Sequence, residues 1–539
     1  MAKRSEEVSN KLKLYLIKDE YNEFDTVVKD PSSPGLHRAV IPGVGTLYYK
    51  DSYAQTPAWI GDFFCNHEAI NPSAFKVANT QAVLLVKLKA GKTDRIFGIP
   101  FGMGRHLMKE LAVESRFGLI TTLNVIEASA IRSVGKRTIS SNPKISIEQI
   151  SRASGTDDFQ INIERDLIES IAGASAYQDF GKVISGKDAL SVTAKADVRN
   201  IGDFLKKVFD IYNKKDYTKE FKWIDQIREV KDQQILSILN GLLISGLNGT
   251  TRVDAWLAIP EIIDWADFNG FKYSARKKDD LIEDLDIEDY LAEKAGTPVT
   301  IEQLENDVIS CWKESKNNYN HSWSVFQCLN AEVRYNKELY FLDKGKWYRI
   351  ESSFVKQVEE ETRSVKHYPK KLPDFVHQDE NDYNNHLART LNALCLDAKT
   401  IQYGGGASKI EVCDVLSDDA VFFHVKKYGG SANLSHLFAQ GYVSGELFIT
   451  DEGFREAVRK KFSLKAPYDL LFPKQRPTAS EYSIVFGIIT TSTKPLNLPF
   501  FSKVTLRSYK RILEAFGFNI YLAQIRNCKP KTRKAALKK

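Results

Sequence analysis

The first part of the chain alternates apolar and polar residues in a way that predicts β-structure. Residues 11–18 alternate as a half-buried strand does. Residues 82–101 contain two β-rich runs about a polar turn, which predicts a hairpin. Residues 103–117 have helical spacing, and residues 118–126 have the composition of a strand. The pattern therefore predicts an N-terminal α/β domain over residues 1–145.

Helical spacing dominates the next part of the chain. Apolar residues recur at threes and fours in residues 197–212 and again in residues 233–247. This periodicity predicts a mainly helical middle region over residues 146–294. A strongly acidic stretch at 277–289 and the helix-breaking sequence at 296–300 mark its end.

A short connector region is expected over residues 295–372. Residues 339–343 and 346–350 are two β-rich runs separated by Lys344-Gly345, which predicts a β-hairpin with a tight turn. A basic, proline-containing stretch at 366–373 then leads into the last region.

The pattern of residues 373–539 predicts alternating helices and strands. A helix with acidic residues in its first turn is expected at 379–391, a strand at 410–416, a second strand at 421–426 and a covering helix at 431–440. The predicted fold class is therefore α/β, with mixed α+β N-terminal and helical middle regions and a C-terminal αβα core of the restriction-endonuclease-like type.

Three residues in this order have the chemistry of a nuclease. Phosphodiester cleavage needs a hard divalent cation with oxygen ligands, and a positive charge beside the attacking water. Glu380 and Asp414 are the predicted carboxylate ligands, and Lys426 is the predicted group that orients the water. Strand alternation places Glu411 on the opposite face from Asp414, so Asp414 is favoured as the ligand.

His424 occupies the position at which a carboxylate two residues before the lysine is expected. An imidazole can bind a divalent ion, but it lacks the negative charge that Mg²⁺ prefers and favours Mn²⁺ or other transition metals. The predicted cofactor is therefore Mg²⁺ or Mn²⁺, held by Glu380, Asp414 and His424. The structural alternative is that Asp414 is a hydrogen-bonding turn residue and that Lys426 and Lys427 are an exposed basic pair.

Several polar residues are candidate contacts to nucleic acid. Arg105 follows a glycine turn that can present amide groups to a phosphate, although a purely structural turn is the alternative. The remaining candidates are Lys427, Ser435, His436 and Gln440. Six lysines and arginines crowd the last eleven residues, so this tail either contacts a phosphate backbone or serves only solubility.

Composition restricts the class of protein. Hydrophobic residues make up 43% and charged residues 27%, as expected for a folded chain, and the net charge of +7 is modest for 539 residues. The six cysteines include no CxxC pair, which argues against a disulfide framework and a structural zinc site. The absence of an apolar run of about 18 residues predicts a cytoplasmic protein with no membrane contact.

Segments across nearly the whole chain resemble one bacterial family, described as sporadically distributed proteins of unknown function that occur near mobile-element and restriction-type genes. The resemblance rests on Phe101-Gly-x-Gly-Arg105, Arg116-Phe-Gly118 with Leu123-Asn124, residues 181–190, the hairpin at 340–348, Glu380-Asn-Asp-Tyr-Asn384, Glu411-Val-Cys-Asp414, His424-Val-Lys426 and residues 434–441. It implies a role in conflict with phages or other mobile DNA, but no activity that can be assigned to individual residues.

These observations lead to one functional hypothesis and two alternatives. The hypothesis is a metal-dependent nuclease that cleaves phage or mobile-element DNA, or RNA, in antiviral defence. The first alternative is a catalytically inactive nucleic-acid-binding defence component, which the His424 substitution favours. The second is a toxin or adaptor that acts through a protein partner from a defence operon, with the acidic 277–289 stretch as a contact surface.

Overall fold

The chain forms two compact units. The computed structural model describes residues 9–57, 60, 63–65, 67–90, 93–138, 143–162, 166–251, 253–273, 281–294, 296–313, 319–402, 409–428 and 430–528. The first unit comprises Met1–Arg137 with Ile145–Ile224, and the second comprises Thr138–Lys144 with Asp225–Lys539. The predicted basic tail lies outside the described residues, as does the first part of the acidic stretch.

The first unit is built on a ten-stranded sheet with the order β2-β3-β4-β5-β1-β10-β9-β8-β6-β7. Its strands are β1 Asn10–Leu16, β2 Leu36–Ile41, β3 Gly45–Lys50, β4 Gln81–Ala90, β5 Thr93–Gly102, β6 Ile131–Thr138, β7 Lys144–Ser154, β8 Asp166–Ala174, β9 Val183–Gly186 and β10 Leu190–Ala194. Its helices are α1 Phe24–Val27, α2 Phe117–Leu123, α3 Ile201–Tyr212 and α4 Thr218–Phe221.

Local patterning predicts the strands of this sheet better than its helices. The first strand and the hairpin at 82–101 are confirmed, the latter as β4 and β5 in continuous antiparallel register. The predicted helix at 103–117 is wrong, because only a short 3₁₀ turn forms at Gly104–Leu107. The predicted strand at 118–126 is also wrong, since α2 occupies it. That helix is buried on nearly all sides, and a short, fully buried helix has no periodicity to distinguish it from a strand.

The prediction of a mainly helical region over 146–294 is wrong in its first half. Strands β7 to β10 lie there, and β10 pairs with β1 from the start of the chain, so that Leu190 lies opposite Leu14. The predicted boundary at residue 145 therefore falls inside the sheet of the first unit. Because β1 and β10 are so far apart in sequence, their pairing leaves no local sequence signal from which the domain boundary could be predicted.

The second unit contains four sheets. Its strands are β11 Ile227–Glu229, β12 Asp254–Leu257, β13 Phe268–Tyr273, β14 Val308–Lys313, β15 Tyr319–Ser324, β16 Leu329–Tyr335, β17 Glu338–Asp343, β18 Lys346–Ile350, β19 Lys366–His367, β20 Leu394–Cys395, β21 Thr400–Gln402, β22 Lys409–Glu411, β23 Val415–Leu416, β24 Val421–Lys427, β25 Ser483–Thr490 and β26 Asn519–Arg526. Its helices are α5 Gln233–Leu247, α6 Ile287–Glu293, α7 Ile301–Asn306, α8 Val325–Cys328, α9 Ser352–Arg363, α10 Glu380–Thr390, α11 Ser431–Thr450, α12 Glu452–Phe462 and α13 Phe500–Phe516.

The predicted connector hairpin is confirmed within a five-stranded antiparallel sheet of order β11-β18-β17-β16-β12. Lys344 and Gly345 both have positive φ, at 51° and 70°. Two such residues in succession match the tight turn whose twist suits a two-residue hairpin. Strands β13, β14 and β15 form a separate sheet, and β21 pairs with β22 in another.

The six-stranded sheet has the order β19-β26-β25-β24-β23-β20. Strands β20, β23 and β24 are antiparallel neighbours, whereas β24, β25 and β26 are parallel. Parallel neighbours need a crossover connection, which α11 and α12 supply between β24 and β25 and α13 supplies between β25 and β26. Among the elements of this sheet the chain order is thus α10, the antiparallel strands β20, β23 and β24, the helices α11 and α12, and then β25 parallel to β24; the β21–β22 pair lies between β20 and β23.

Helices cover both faces of this sheet. Phe422 and Phe486 pack with Leu434 and Leu437 of α11 and with Leu506 of α13 on one face. On the other face, α10 packs against the alternate residues of β24 and β25 in a separate buried cluster. The mixed α/β class is therefore observed. None of the helices in the described residues is long and apolar enough to cross a membrane.

One carboxylate joins two helices of the second unit. Glu361 of α9 accepts hydrogen bonds from Arg507 at 2.8 Å and from Arg511 at 2.9 Å, both on α13. Arg507 is only 1% exposed. The hydrogen bonds and charges of Arg507 and, to a lesser extent, Arg511 lower the pKa of Glu361 to about 2 against the effect of burial.

We expect Glu361→Ala to lower the free energy of unfolding by about 3–5 kcal/mol, because it leaves the buried Arg507 without this partner. Urea unfolding measures the loss, and Glu360→Ala at an exposed position of the same helix is the matched control. Because the pKa of Glu361 is depressed, its contribution is present above about pH 4.5 and is lost as the pH falls towards 2. Equal stability of the two variants at pH 7 would contradict this expectation.

Candidate functional site

Three elements of the six-stranded sheet bring the predicted residues Glu380, Asp414 and Lys426 into one region. Glu380 is the first residue of α10, Asp414 immediately precedes β23, and Lys426 lies near the end of β24. Strand β24 lies at the centre of the region, because it pairs with β23 on one side and with β25 on the other. The local structure around Glu380 and Lys426 agrees with the predicted helix and strand.

Glu380 connects α10 to the end of β24. The helix begins where the Asp379 side chain accepts a hydrogen bond from the Asp382 amide at 2.9 Å, which is the usual capping arrangement. Glu380 then accepts from the Lys426 ammonium at 2.9 Å and from the Lys427 backbone amide at 2.8 Å. Both carboxylate oxygens are used, so this one side chain sets the position of the lysine.

Asp414 is held against the backbone of β24. Its Oδ2 accepts a hydrogen bond from the Val425 amide at 2.6 Å. Burial raises the pKa of Asp414 to about 7, against the lowering effect of that hydrogen bond, and the charges of Asp397 and Glu411 add to the rise. Nearby Lys426 lowers the pKa of Asp414. A buried carboxylate that has a raised pKa and lies close to other acids is typical of a cation site.

Glu411 belongs to the same region, although strand alternation had placed it on the face opposite Asp414. The predicted strand at 410–416 is interrupted, because β22 ends at Glu411 and β23 begins at Val415. Alternation therefore does not carry through residues 412–414. Glu411 accepts a hydrogen bond from Gln440 of α11 at 2.8 Å. The sequence signal that could have identified it is the Glu-x-x-Asp spacing, once a break between the two residues is allowed.

The pKa of Lys426 is affected by all three carboxylates, Glu380, Asp414 and Glu411. Burial acts to lower its pKa, but the hydrogen bond and charge of Glu380 and the charges of Asp414 and Glu411 outweigh this effect and raise it. The ammonium is therefore kept charged in a partly buried place. This is the electrostatic arrangement required of a group that stabilises developing negative charge.

His424 is buried beneath α11. Its side chain is 2% exposed, and its Nε2 lies 3.4 Å from the Ser444 hydroxyl of α11. The His424 ring also lies near the Phe486 ring. Gly441 leaves room for Phe486, because a Cβ at that position would lie 2.4 Å from the Phe486 ring. Burial lowers the pKa of His424 to about 4, so the imidazole is neutral at pH 7. These contacts give no support to its predicted role as a metal ligand.

The predicted nucleic-acid contacts are distributed between both units. Lys427 donates to the Gln378 carbonyl at 3.4 Å, and its ammonium lies 4.8 Å from the centre of the Phe375 ring. On α11, Ser435 lies 3.5 Å from the Thr505 hydroxyl, whereas His436 is exposed. Gln440 is engaged by Glu411, as described above.

Arg105 lies in the first unit. It donates to the Met108 carbonyl at 3.1 Å, and its guanidinium lies 5.1 Å from the centre of the Tyr15 ring.

The described residues contain no group of three or more histidine, cysteine, aspartate or glutamate side chains placed to hold a metal ion. Mg²⁺, however, is commonly bound by one or two carboxylates together with water and substrate phosphates. The raised pKa of Asp414 and its coupling to Glu411 fit that smaller ligand set. The two carboxylates are therefore compatible with a hydrated divalent cation.

A family model described as a family of unknown function, DUF6119, matches residues 12–526. The chain belongs to the DUF6119 family. A search of curated proteins and a search of solved structures find no match to it. The family description assigns no activity, so the chemistry of this DUF6119 chain has to be inferred from its own residues.

We expect His424→Leu to leave Mn²⁺ affinity unchanged and to make the chain more resistant to acid. The buried imidazole has a pKa of about 4, whereas the unfolded one titrates near 6.5. The unfolded state therefore binds a proton first as the pH falls, and the parent loses up to about 3 kcal/mol between these values.

Unfolding at pH 5 and pH 8 measures this difference, and calorimetry measures Mn²⁺ binding. His436→Leu is the matched control, because that imidazole is exposed on α11, the helix that packs over His424. Loss of Mn²⁺ binding in His424→Leu alone would restore His424 as a ligand.

Proposed function

We propose that this DUF6119 chain is a metal-dependent nuclease with a restriction-endonuclease-like core in its second unit. The observation that carries the proposal is the meeting of Glu380, Asp414 and Lys426 at one end of the six-stranded sheet. The order of elements around them supports it. A helix, three antiparallel strands, a helical crossover and a parallel strand are the elements expected of such a core, and α10, β20, β23, β24, α11 with α12, and β25 follow this order.

In this proposal Asp414 and Glu411 hold Mg²⁺ or Mn²⁺, with water and a substrate phosphate completing its coordination. The cation supplies charge stabilisation and lowers the pKa of bound water. Burial is the main cause of the raised pKa of Asp414, and the charges of Asp397 and Glu411 add to it; a cation held by Asp414 and Glu411 would offset their repulsion. Gln440 keeps Glu411 in place through its hydrogen bond.

Lys426 supplies the positive charge beside the attacking water. Its ammonium is held by Glu380, so the role of Glu380 in this proposal is to position the lysine rather than to bind the cation. Glu380 also accepts from the backbone of Lys427, which fixes the strand end from which Lys426 projects. A charged, partly buried ammonium stabilises the charge that develops on the phosphate as the P–O bond breaks.

The substrate we infer is phage or mobile-element DNA in the cytoplasm. This part of the proposal rests on the resemblance described for the sequence and on the chemistry of the site together. The side chains that we infer for phosphate contacts are His436, which is exposed on α11, and Lys427, which follows Lys426 at the end of β24.

Plasmid cleavage with Mg²⁺ or Mn²⁺ tests the activity. Asp414→Asn and Lys426→Met are each expected to reduce the cleavage rate by at least about 10²-fold, a loss typical of removing one charge-stabilising group. Asp418→Asn is the matched control, since that residue is an exposed aspartate in the turn before β24. If both variants cut as fast as the parent, the assigned residues are wrong.

A cell-based measurement tests the defence role separately. Cells that express the parent are expected to yield fewer phage plaques than cells that express Asp414→Asn at the same level. If the protein cleaves DNA in vitro but the plaque counts do not differ, the nuclease activity is supported and the defence role is wrong. DNA binding without metal dependence or cleavage would favour the inactive nucleic-acid-binding alternative, and no nucleic-acid binding at low salt would favour the protein-partner alternative.

A further inference from the structure

A buried amide in the helix that carries Glu380 has no assigned role. Asn384 is 1% exposed, and its Oδ1 has no hydrogen-bond partner among the residues that the structure describes. Buried polar side chains almost always have a partner, whether a protein group, a water or an ion. A water molecule or an ion would satisfy the Oδ1 of Asn384, since no group of the described polypeptide does.

The position of Asn384 relates it to the candidate site. It follows Glu380 by four residues in α10, so both side chains lie on the same face of the helix, one turn apart. The Cα–Cβ bonds of a helix tilt towards its N-terminus, which directs the Asn384 amide towards Glu380. Leu387 and Ala388 continue this face into the apolar cluster formed with β24 and β25.

The neighbours of Asn384 do not explain why an amide is present. Tyr383, the preceding residue, is fully buried and directs its hydroxyl to the Pro373 carbonyl at 2.9 Å. Asn385, the following residue, donates to the side chain of Asn381 at 2.9 Å on a more exposed part of the helix. Each of these polar groups has its partner within the chain. An apolar side chain at position 384 would continue the buried face, so packing alone does not call for asparagine.

We infer that Asn384 is a further positioning residue, whose amide hydrogen-bonds a water molecule of the hydrated divalent cation bound beside Asp414. This inference rests on the proposed cation site. Groups that orient a metal ion through hydrogen bonds to its ligands commonly change metal affinity 10–100-fold when they are removed. Asn384 therefore acts through water and through the orientation of Glu380 and Lys426, without touching the reacting atoms.

The experiment compares Mn²⁺ affinity with stability in the full chain. Asn384→Leu and Asn384→Ala are titrated with Mn²⁺ by calorimetry, and their metal-free melting temperatures are measured. The relevant Mn²⁺ site is defined as the one that Asp414→Asn loses. Asn385→Ala is the matched control on the same helix.

We expect Asn384→Leu to melt at or above the temperature of the metal-free parent, because it removes an unpaired buried amide, and to bind Mn²⁺ about 10–100-fold more weakly. Asn384→Asp keeps an acceptor oxygen and is expected to bind Mn²⁺ within a few-fold of the parent. Asn385→Ala is expected to match the parent in both measurements. If Asn384→Leu folds poorly, the same weakening in Asn384→Ala at a parental melting temperature supports the inference.

Parental Mn²⁺ affinity in both Asn384→Leu and Asn384→Ala overturns the inference, and so does a parent that binds no Mn²⁺. If the parent binds Mn²⁺ in a manner dependent on Asn384 but cleaves no nucleic acid, this inference is supported and the proposed nuclease activity is wrong. If the parent cleaves DNA and the Asn384 variants bind Mn²⁺ as the parent does, only the role of Asn384 is wrong.

Discussion

The proposed chemistry of the second unit depends on how charged side chains are satisfied at the end of β24. Lys426 and Lys427 leave the sheet where α10 begins, and the Glu380 carboxylate accepts from the ammonium of one and the backbone amide of the other. A partly buried charge without such a partner is costly, so the ion pair constrains the helix and the strand together. In the proposed nuclease, Asp414 and Glu411 act together with Lys426 because this contact holds the lysine near them.

A second constraint anchors the five-stranded sheet to the helix that follows β25. Glu332 of β16 accepts hydrogen bonds from the Phe500 and Phe501 amides at 2.7 and 3.0 Å, which satisfies the first turn of α13. Burial and the opposed carboxylate of Asp254 raise the pKa of Glu332 to about 7, although both amides favour its charged form. With Glu361 and its two arginines, this cap joins the predicted connector to the six-stranded sheet. The predicted connector and C-terminal regions therefore belong to one compact unit.

Local patterns predicted those elements that a β-rich run beside a turn, or a helix cap, marks along the chain. The hairpins β4–β5 and β17–β18 have a polar turn between two β-rich runs, the helix α10 begins at a capping aspartate, and the strand β24 is an apolar run that follows a turn. The predictions failed for a short buried helix and where pairing is distant. Helix α2 is buried on almost every side, and β10 pairs with β1 from the start of the chain.

The sequence by itself determined the order Glu380, Asp414, Lys426 and the type of element that carries Glu380 and Lys426, because capping and strand composition are local properties. It also determined that acids and a lysine lie close together along the chain. Only the tertiary structure decided which of them meet. The break between β22 and β23 removes the alternation that separated Glu411 from Asp414, and the packing of α11 on β24 buries His424. The packing of α10 leaves the Oδ1 of Asn384 without a partner in the described chain, because hydrogen bonding inside a core is settled by three-dimensional contacts that no local pattern contains.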